Sequence, residues 1–265
     1  MNDLVIKKEI HFPNSSGQYN VCAELIENSS VVATSSKTAH VFQKRAISTL
    51  AQKIIVFDPS KEIDEYLSEN GIPFLHFSRD NIEDTAMVVI NGNVLANQLY
   101  FHAKEKITAF VKNGGTLVLI EPEYRVVGSV LHTIVDGIDL KITHRADLDK
   151  GGYDSYVFAE DQSHPLWKNI HKEHLKFFNG AYGGEIVSQY DVNFSIPSKR
   201  LASCGIDLNV IAASEVEYGK GKIIFFRLQL RGRLKQSSTS DLLYSRRVDP
   251  VAQQLLLNLL EYTKS

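Results

Sequence analysis

Residues 86–120 read AMVVINGNVLANQLYFHAKEKITAFVKNGGTLVLI, and this stretch decides the fold. Ala86-Met87-Val88-Val89-Ile90 at its start and Thr116-Leu117-Val118-Leu119-Ile120 at its end are unbroken apolar runs, as a strand buried on both faces requires. Between them Leu99, Ala103, Ile107, Phe110 and Val111 recur at three- and four-residue steps, which places them on one helical face. Asn113-Gly114-Gly115 ends that helix. Strand, helix and strand at this spacing form a βαβ unit, hence a parallel sheet with helices laid against it.

The same rhythm extends upstream. Lys53-Ile54-Ile55-Val56-Phe57 is another short apolar run, and Asp58-Pro59 offers a cap and a first-turn proline to a following helix. That helix carries Ile63, Tyr66 and Leu67 inward and stops at Asn70-Gly71. Residues 72–77, with Pro73 near the start, predict the next strand. Downstream, residues 123–205 are rich in glycine and aromatic side chains and read as loops and irregular strands. Order returns with two apolar runs, over 209–218 and 222–228, joined by Gly219-Lys220-Gly221 as a β-hairpin. Asp249-Pro250 opens a last helix whose inward face is Ala252, Leu255, Leu256, Leu259 and Leu260.

The first 45 residues have a different character. Residues 19–26 alternate as a strand does, Glu27-Asn28-Ser29-Ser30 makes a turn, and residues 31–34 and 39–42 resume the extended pattern. So few strands do not form a stable sandwich alone. The expectation is a β-strand segment over 1–45, the end of a sandwich-like domain, followed by an α/β domain over 46–265.

Composition excludes several classes. There are 29 Lys and Arg against 31 Asp and Glu, a formal net charge of −2, which argues against a nucleic-acid binder. No apolar run reaches the length of a membrane span, and residues 1–4 lack the basic and apolar regions of a signal peptide, so a soluble chain is expected. Cys22 and Cys204 are too few for a zinc site and read as small buried hydrophobes, although their pairing stays open.

Several phrases together resemble a known family. Residues 111–119, VKNGGTLVL, are similar to the helix, Gly-Gly, strand passage of class I glutamine amidotransferase-like domains. Residues 218–224, YGKGKII, followed by residues 249–260, DPVAQQLLLNLL, resemble the end of such domains in bacterial glycoside hydrolases of the family 2 and β-galactosidase-like kind. His164-Pro165-Leu166-Trp167 fits the same group. The resemblance covers roughly residues 50–264. It implies a flavodoxin-like parallel sheet with helices on both faces, in a domain whose role beside the hydrolase is structural or ligand-related.

Active members of that superfamily carry a cysteine on a tight strand-to-helix turn, where backbone N–H groups hold the oxyanion. The corresponding strand here runs into Glu121-Pro122-Glu123-Tyr124, with neither cysteine nor serine. His171-Lys172-Glu173 has the spacing of a base and its orienting carboxylate, which leaves a hydrolase using Cys204 as a remote alternative. His171 and His174 share a helical face without a third ligand, so no metal and no cofactor are expected. The aromatic middle region, with Trp167 and Phe177, serves packing or faces a sugar. Arg231, Arg233, Lys235, Arg246 and Arg247 form a basic stretch expected as an exposed loop or an interface to another domain.

Ligands of open α/β sheets bind beyond the carboxyl ends of the strands. The residues that follow the expected parallel strands are Asp58, Ser78, Arg79, Asn91, Asn93, Glu121, Glu123 and Tyr124, and these are the candidate ligand-binding set. The leading expectation is a non-catalytic accessory domain that packs against other domains of a glycoside hydrolase or self-associates. The alternative is a free-standing carbohydrate-binding protein using that cleft.

Overall fold

Asn28 and Ser29 both take left-handed backbone angles, with φ of 48° and 66°. That pair of conformations makes a two-residue turn whose twist matches the strands it joins. The strands are β1 (Gly17–Glu27) and β2 (Ser30–Val41), antiparallel, with Val21 opposite Lys37 and Leu25 opposite Ala33. The register slips by one residue between Leu25 and Ile26. β2 is continuous through Ser35-Ser36-Lys37-Thr38, where the apolar pattern alone suggested two pieces. Cys22 is exposed on β1, against the expectation of a buried residue, and Cys204 is buried; the two do not form a disulfide. This computed structural model describes residues 8–13, 15–42, 53–92, 97–121, 128–144, 157–177, 190–205, 207–230, 232–235 and 248–262. The chain divides into two compact units, Met1–Ala46 and Ile47–Ser265.

The second unit begins with β3 (Ile54–Phe57), α1 (Glu62–Glu69) and β4 (Leu75–His76). β5 (Met87–Asn91), α2 (Gln98–Lys112) and β6 (Thr116–Ile120) complete the βαβ unit predicted from residues 86–120. Then come β7 (Ser129–Val135), β8 (Ile138–His144), β9 (Phe158–Ala159), β10 (Tyr190–Phe194) and β11 (Lys199–Cys204). The predicted hairpin follows as β12 (Val210–Tyr218) and β13 (Gly221–Phe226), and α3 (Pro250–Glu261) closes the fold.

Eight strands form one sheet in the order β4-β3-β5-β6-β13-β12-β11-β9. β4, β3, β5, β6 and β13 are mutually parallel, whereas β12, β11 and β9 continue antiparallel. The class is α/β, but the sheet is mixed where a wholly parallel one was expected. The cause is the hairpin turn at Gly219-Lys220, which lays β12 antiparallel along β13 and leaves its far edge for β11. A separate three-stranded antiparallel sheet, β10-β8-β7, comes from the stretch that read as irregular.

Alternation along the parallel strands gives both faces a buried layer. Ile55, Val88, Ile90, Leu117, Leu119, Ile223 and Phe225 share one apolar cluster with α2 and with Ile138, Leu140, Ile142 and Val192 of the small sheet. Ile54, Val56, Met87, Val89, Val118, Ile120, Ile224 and Phe226 are buried on the other side. Right-handed crossovers that step in opposite directions, β3 to β4 through α1 and β5 to β6 through α2, place those helices on opposite faces.

Two local expectations need correction. Leu99 is 59% exposed, and Tyr100 takes the inward place. The tyrosine hydroxyl donates to the Ile134 carbonyl at 2.6 Å, a bond that leucine lacks. Residues 72–77 supply only the two-residue β4, because Ser78 and Asn81 turn the chain away at once.

Candidate functional site

Sequence order reverses between β3 and β5, where β4 lies to one side and β6 to the other. That switch point is where an open α/β sheet presents a crevice at the strand carboxyl ends. Asp58 follows β3 there and is buried. Its Oδ1 accepts from the Ser60 amide (3.1 Å), the Ser60 hydroxyl (2.5 Å) and Asn91 Nδ2 (2.9 Å). Its Oδ2 accepts from the amides of Ile63 (2.6 Å) and Asp64 (3.3 Å). Asp58 does cap α1, but over a longer reach than a first-turn proline implies, because the helix starts at Glu62 after a left-handed Lys61. The carboxylate is filled on both oxygens by the protein's own donors.

Glu121 follows β6, is 7% exposed and has φ of 44°. Its amide donates to the Phe226 carbonyl at 3.0 Å, and its Oε1 accepts from the Leu230 amide at 2.8 Å. The chain leaving β13 therefore runs past the end of β6. It continues to the start of α1, where the Gly232 amide donates to Glu62 and Lys235 pairs with Glu65. Leu228, Leu230 and Leu234 are buried along the way. Arg233 Nη1 meets Asp249 Oδ2 at 3.1 Å, the Asp249 amide donates to the Arg233 carbonyl, and Gln253 Nε2 donates to the Leu234 carbonyl. Burial pushes the Asp249 carboxyl up and the Arg233 guanidinium down, each against the attraction of the other. Residues 228–230 and 232–235 are thus fastened across the carboxyl ends of the sheet.

The expected ligand set is divided by this geometry. Asp58 and Asn91 come together, and Glu121 stands two strands away on the same edge. Ser78 and Arg79 lie in an exposed turn closed by the bond from the Ser78 amide to Asn81 Oδ1. Asn93, Glu123 and Tyr124 lie outside the described residues. Sequence reading missed Ser60, Glu62, Arg227, Arg233 and Asp249 at this edge. Arg227 follows the apolar run of β13 and was available to the same rule as Asp58. The basic stretch is not simply exposed, since Arg233 is buried and paired and Lys235 is paired; Arg231, Arg246 and Arg247 lie outside the described residues.

Elsewhere, Asp64 Oδ2 and His76 Nδ1 stand 3.3 Å apart beside the switch point. Burial, then the charge of Asp58, raises the Asp64 carboxyl above its usual range. His164 caps the short 3-10 helix Pro165–Trp167 through Nδ1, and its Nε2 lies 3.0 Å from the Tyr262 hydroxyl and 3.6 Å from Glu215. His171 and His174 face one another at 5.1 Å between ring centres. Cys204, the remote alternative nucleophile, is fully buried at the end of β11. Among the described residues no three His, Cys, Asp or Glu side chains are placed to hold a metal. Among the described residues no helix is long and apolar enough to cross a membrane.

No family profile and no curated protein matches this chain. Solved structures do. A cytoplasmic protein from Salmonella typhimurium aligns over 93% of this chain and 96% of its own, at 14% identity and a TM-score of 0.44. Gan42B, a GH42 β-galactosidase from G. stearothermophilus, aligns over 68% of this chain and 27% of its own, at 14% identity and a TM-score of 0.39. The β-galactosidase from Bacillus circulans sp. alkalophilus aligns over 80% and 31%, at 14% identity and a TM-score of 0.41. The chain thus spans about a third or less of either β-galactosidase.

Proposed function

We propose that this chain is a non-catalytic α/β domain of the class I glutamine amidotransferase-like kind, one that packs against and helps assemble a β-galactosidase-like glycoside hydrolase. The observation that carries this reading is the state of the strand carboxyl ends. Asp58 spends both oxygens on local donors, Glu121 holds the Leu230 amide, and residues 228–230 and 232–235 run over the edge where a substrate would enter. A glutamate stands at the turn after β6 where the family's nucleophile belongs, and a carboxylate does not replace a thiolate in acyl transfer.

Two further features support the reading. The parallel strands, counted in chain order, run 2-1-3-4-5 across the sheet, the order of flavodoxin-like folds. The sequence phrases at 111–119, 218–224 and 249–260 fall on the end of α2 with β6, on the β12–β13 turn and on α3.

A thermal-shift series of this chain against mono- and oligosaccharides tests the proposal. A ligand that binds only the folded state raises the midpoint with its concentration over its dissociation constant. The expected result is no shift up to millimolar sugar. A saturable rise with one sugar class would overturn the proposal in favour of a carbohydrate-binding protein.

A further inference from the structure

The β1–β2 hairpin has two chemically different faces. Paired residues lie on the same side of an antiparallel ladder, and alternate residues lie on opposite sides. Gln18, Asn20, Cys22 and Glu24 with Thr34, Ser36, Thr38 and His40 therefore make one face, polar except beside the turn, where Ile26 pairs with Val31. Tyr19, Val21, Ala23 and Leu25 with Ala33, Ser35, Lys37 and Ala39 make the other, which is mainly apolar. Leu25 on that apolar face is 63% exposed. A two-stranded ribbon is marginal in water without something covering its apolar side.

We propose that this face is covered by the same face of a second copy of the chain. The charges on it select that occupant. Lys37, opposite Val21, and Glu27, beside the turn, are the charged groups on the apolar side. They stand equally far, three residues each way, from the middle of the Ala23–Leu25 interval. A two-fold axis running across the strands at that midpoint brings Lys37 beside Glu27 of the second copy, twice. It also sets Ala23 on Leu25 of the second copy, small against large. Such an interface is isologous, so the assembly closes at two copies. The proposal does not rest on the reading of the strand carboxyl ends.

Light scattering on the full chain across a micromolar concentration series tests it. The expected state is a dimer. Lys37→Glu and Glu27→Lys each place like charges together and should weaken dimerisation by about tenfold or more. The double variant exchanges the pair and should restore most of the loss. Circular dichroism melts of all three variants should keep the parent's main transition, which separates a lost interface from a lost fold. A monomer at every concentration, or a double variant no better than the singles, overturns the proposal.

Discussion

Glu215 on β12 shows how one carboxylate can be held ionised although half-buried. The Tyr262 hydroxyl donates to it at 2.9 Å, His164 Nε2 lies 3.6 Å away, and Lys199 stands at 3.7 Å. Burial by itself raises its carboxyl, but the bonds from His164 and Tyr262 and the charge of Lys222 outweigh it, leaving the group below the ordinary 4.5. A folded value below the unfolded one means that ionised Glu215 stabilises the fold above about pH 4.5. That contribution is lost as pH falls through the depressed value. Glu215→Gln should therefore start less stable than the parent at pH 7 and converge on it toward pH 3. Melting midpoints across that range check this; parallel curves for parent and variant would contradict it. Burial, and then the same carboxylate, pushes the Tyr262 phenol well above its usual value, and Lys222 Nζ lies 3.9 Å from the centre of that ring.

At the scale of elements, the end of α2 and the β12–β13 turn make one close contact. The Lys220 amide donates to the Lys112 carbonyl at 2.9 Å, and a Cβ on Gly221 would stand 2.2 Å from the carbonyl oxygens of Val111 and Gly115. Both obstructing atoms are backbone, so Gly221→Ala must push β13 away from α2. It should cost about 1–3 kcal/mol, as overpacking does, read as a lower urea midpoint with an unchanged slope. The sequence marked Gly219-Lys220-Gly221 as a turn from local chemistry. What it did not show is that Gly221 also admits the backbone of α2, which is a tertiary demand. Tyr100 teaches the same lesson, since three- and four-residue steps from Ala103 allow either Leu99 or Tyr100 inward, and a carbonyl on β7 decides. Asp58, Asn91 and Glu121 were legible because each follows an apolar run. Arg233 with Asp249 was not, because the pair forms only when the chain leaving β13 folds across the sheet.

For the second unit, the question is whether the two sheets and three α-helices of its described residues melt as one body. Phe225 of β13 lies in the cluster shared by α2 and both sheets, with its ring edge-on to Phe194 of β10 at 6.2 Å. Trp167, the single tryptophan, is buried outside that cluster, and the neighbouring Leu166 carbonyl accepts from Asn258 of α3. Far-ultraviolet dichroism follows every element, whereas tryptophan fluorescence follows the surroundings of Trp167. β13 belongs to both layers, because Phe225 faces α2 while Ile224 and Phe226 are buried on the other side of the same strand. A cavity at Phe225 should therefore be felt at Trp167. Phe225→Ala should cost about 3–5 kcal/mol, and both signals should move to the same lower midpoint, as one cooperative transition requires. A fluorescence midpoint that stays at the parent's value while the dichroism midpoint falls would show two separately melting layers, and β13 would then not couple them.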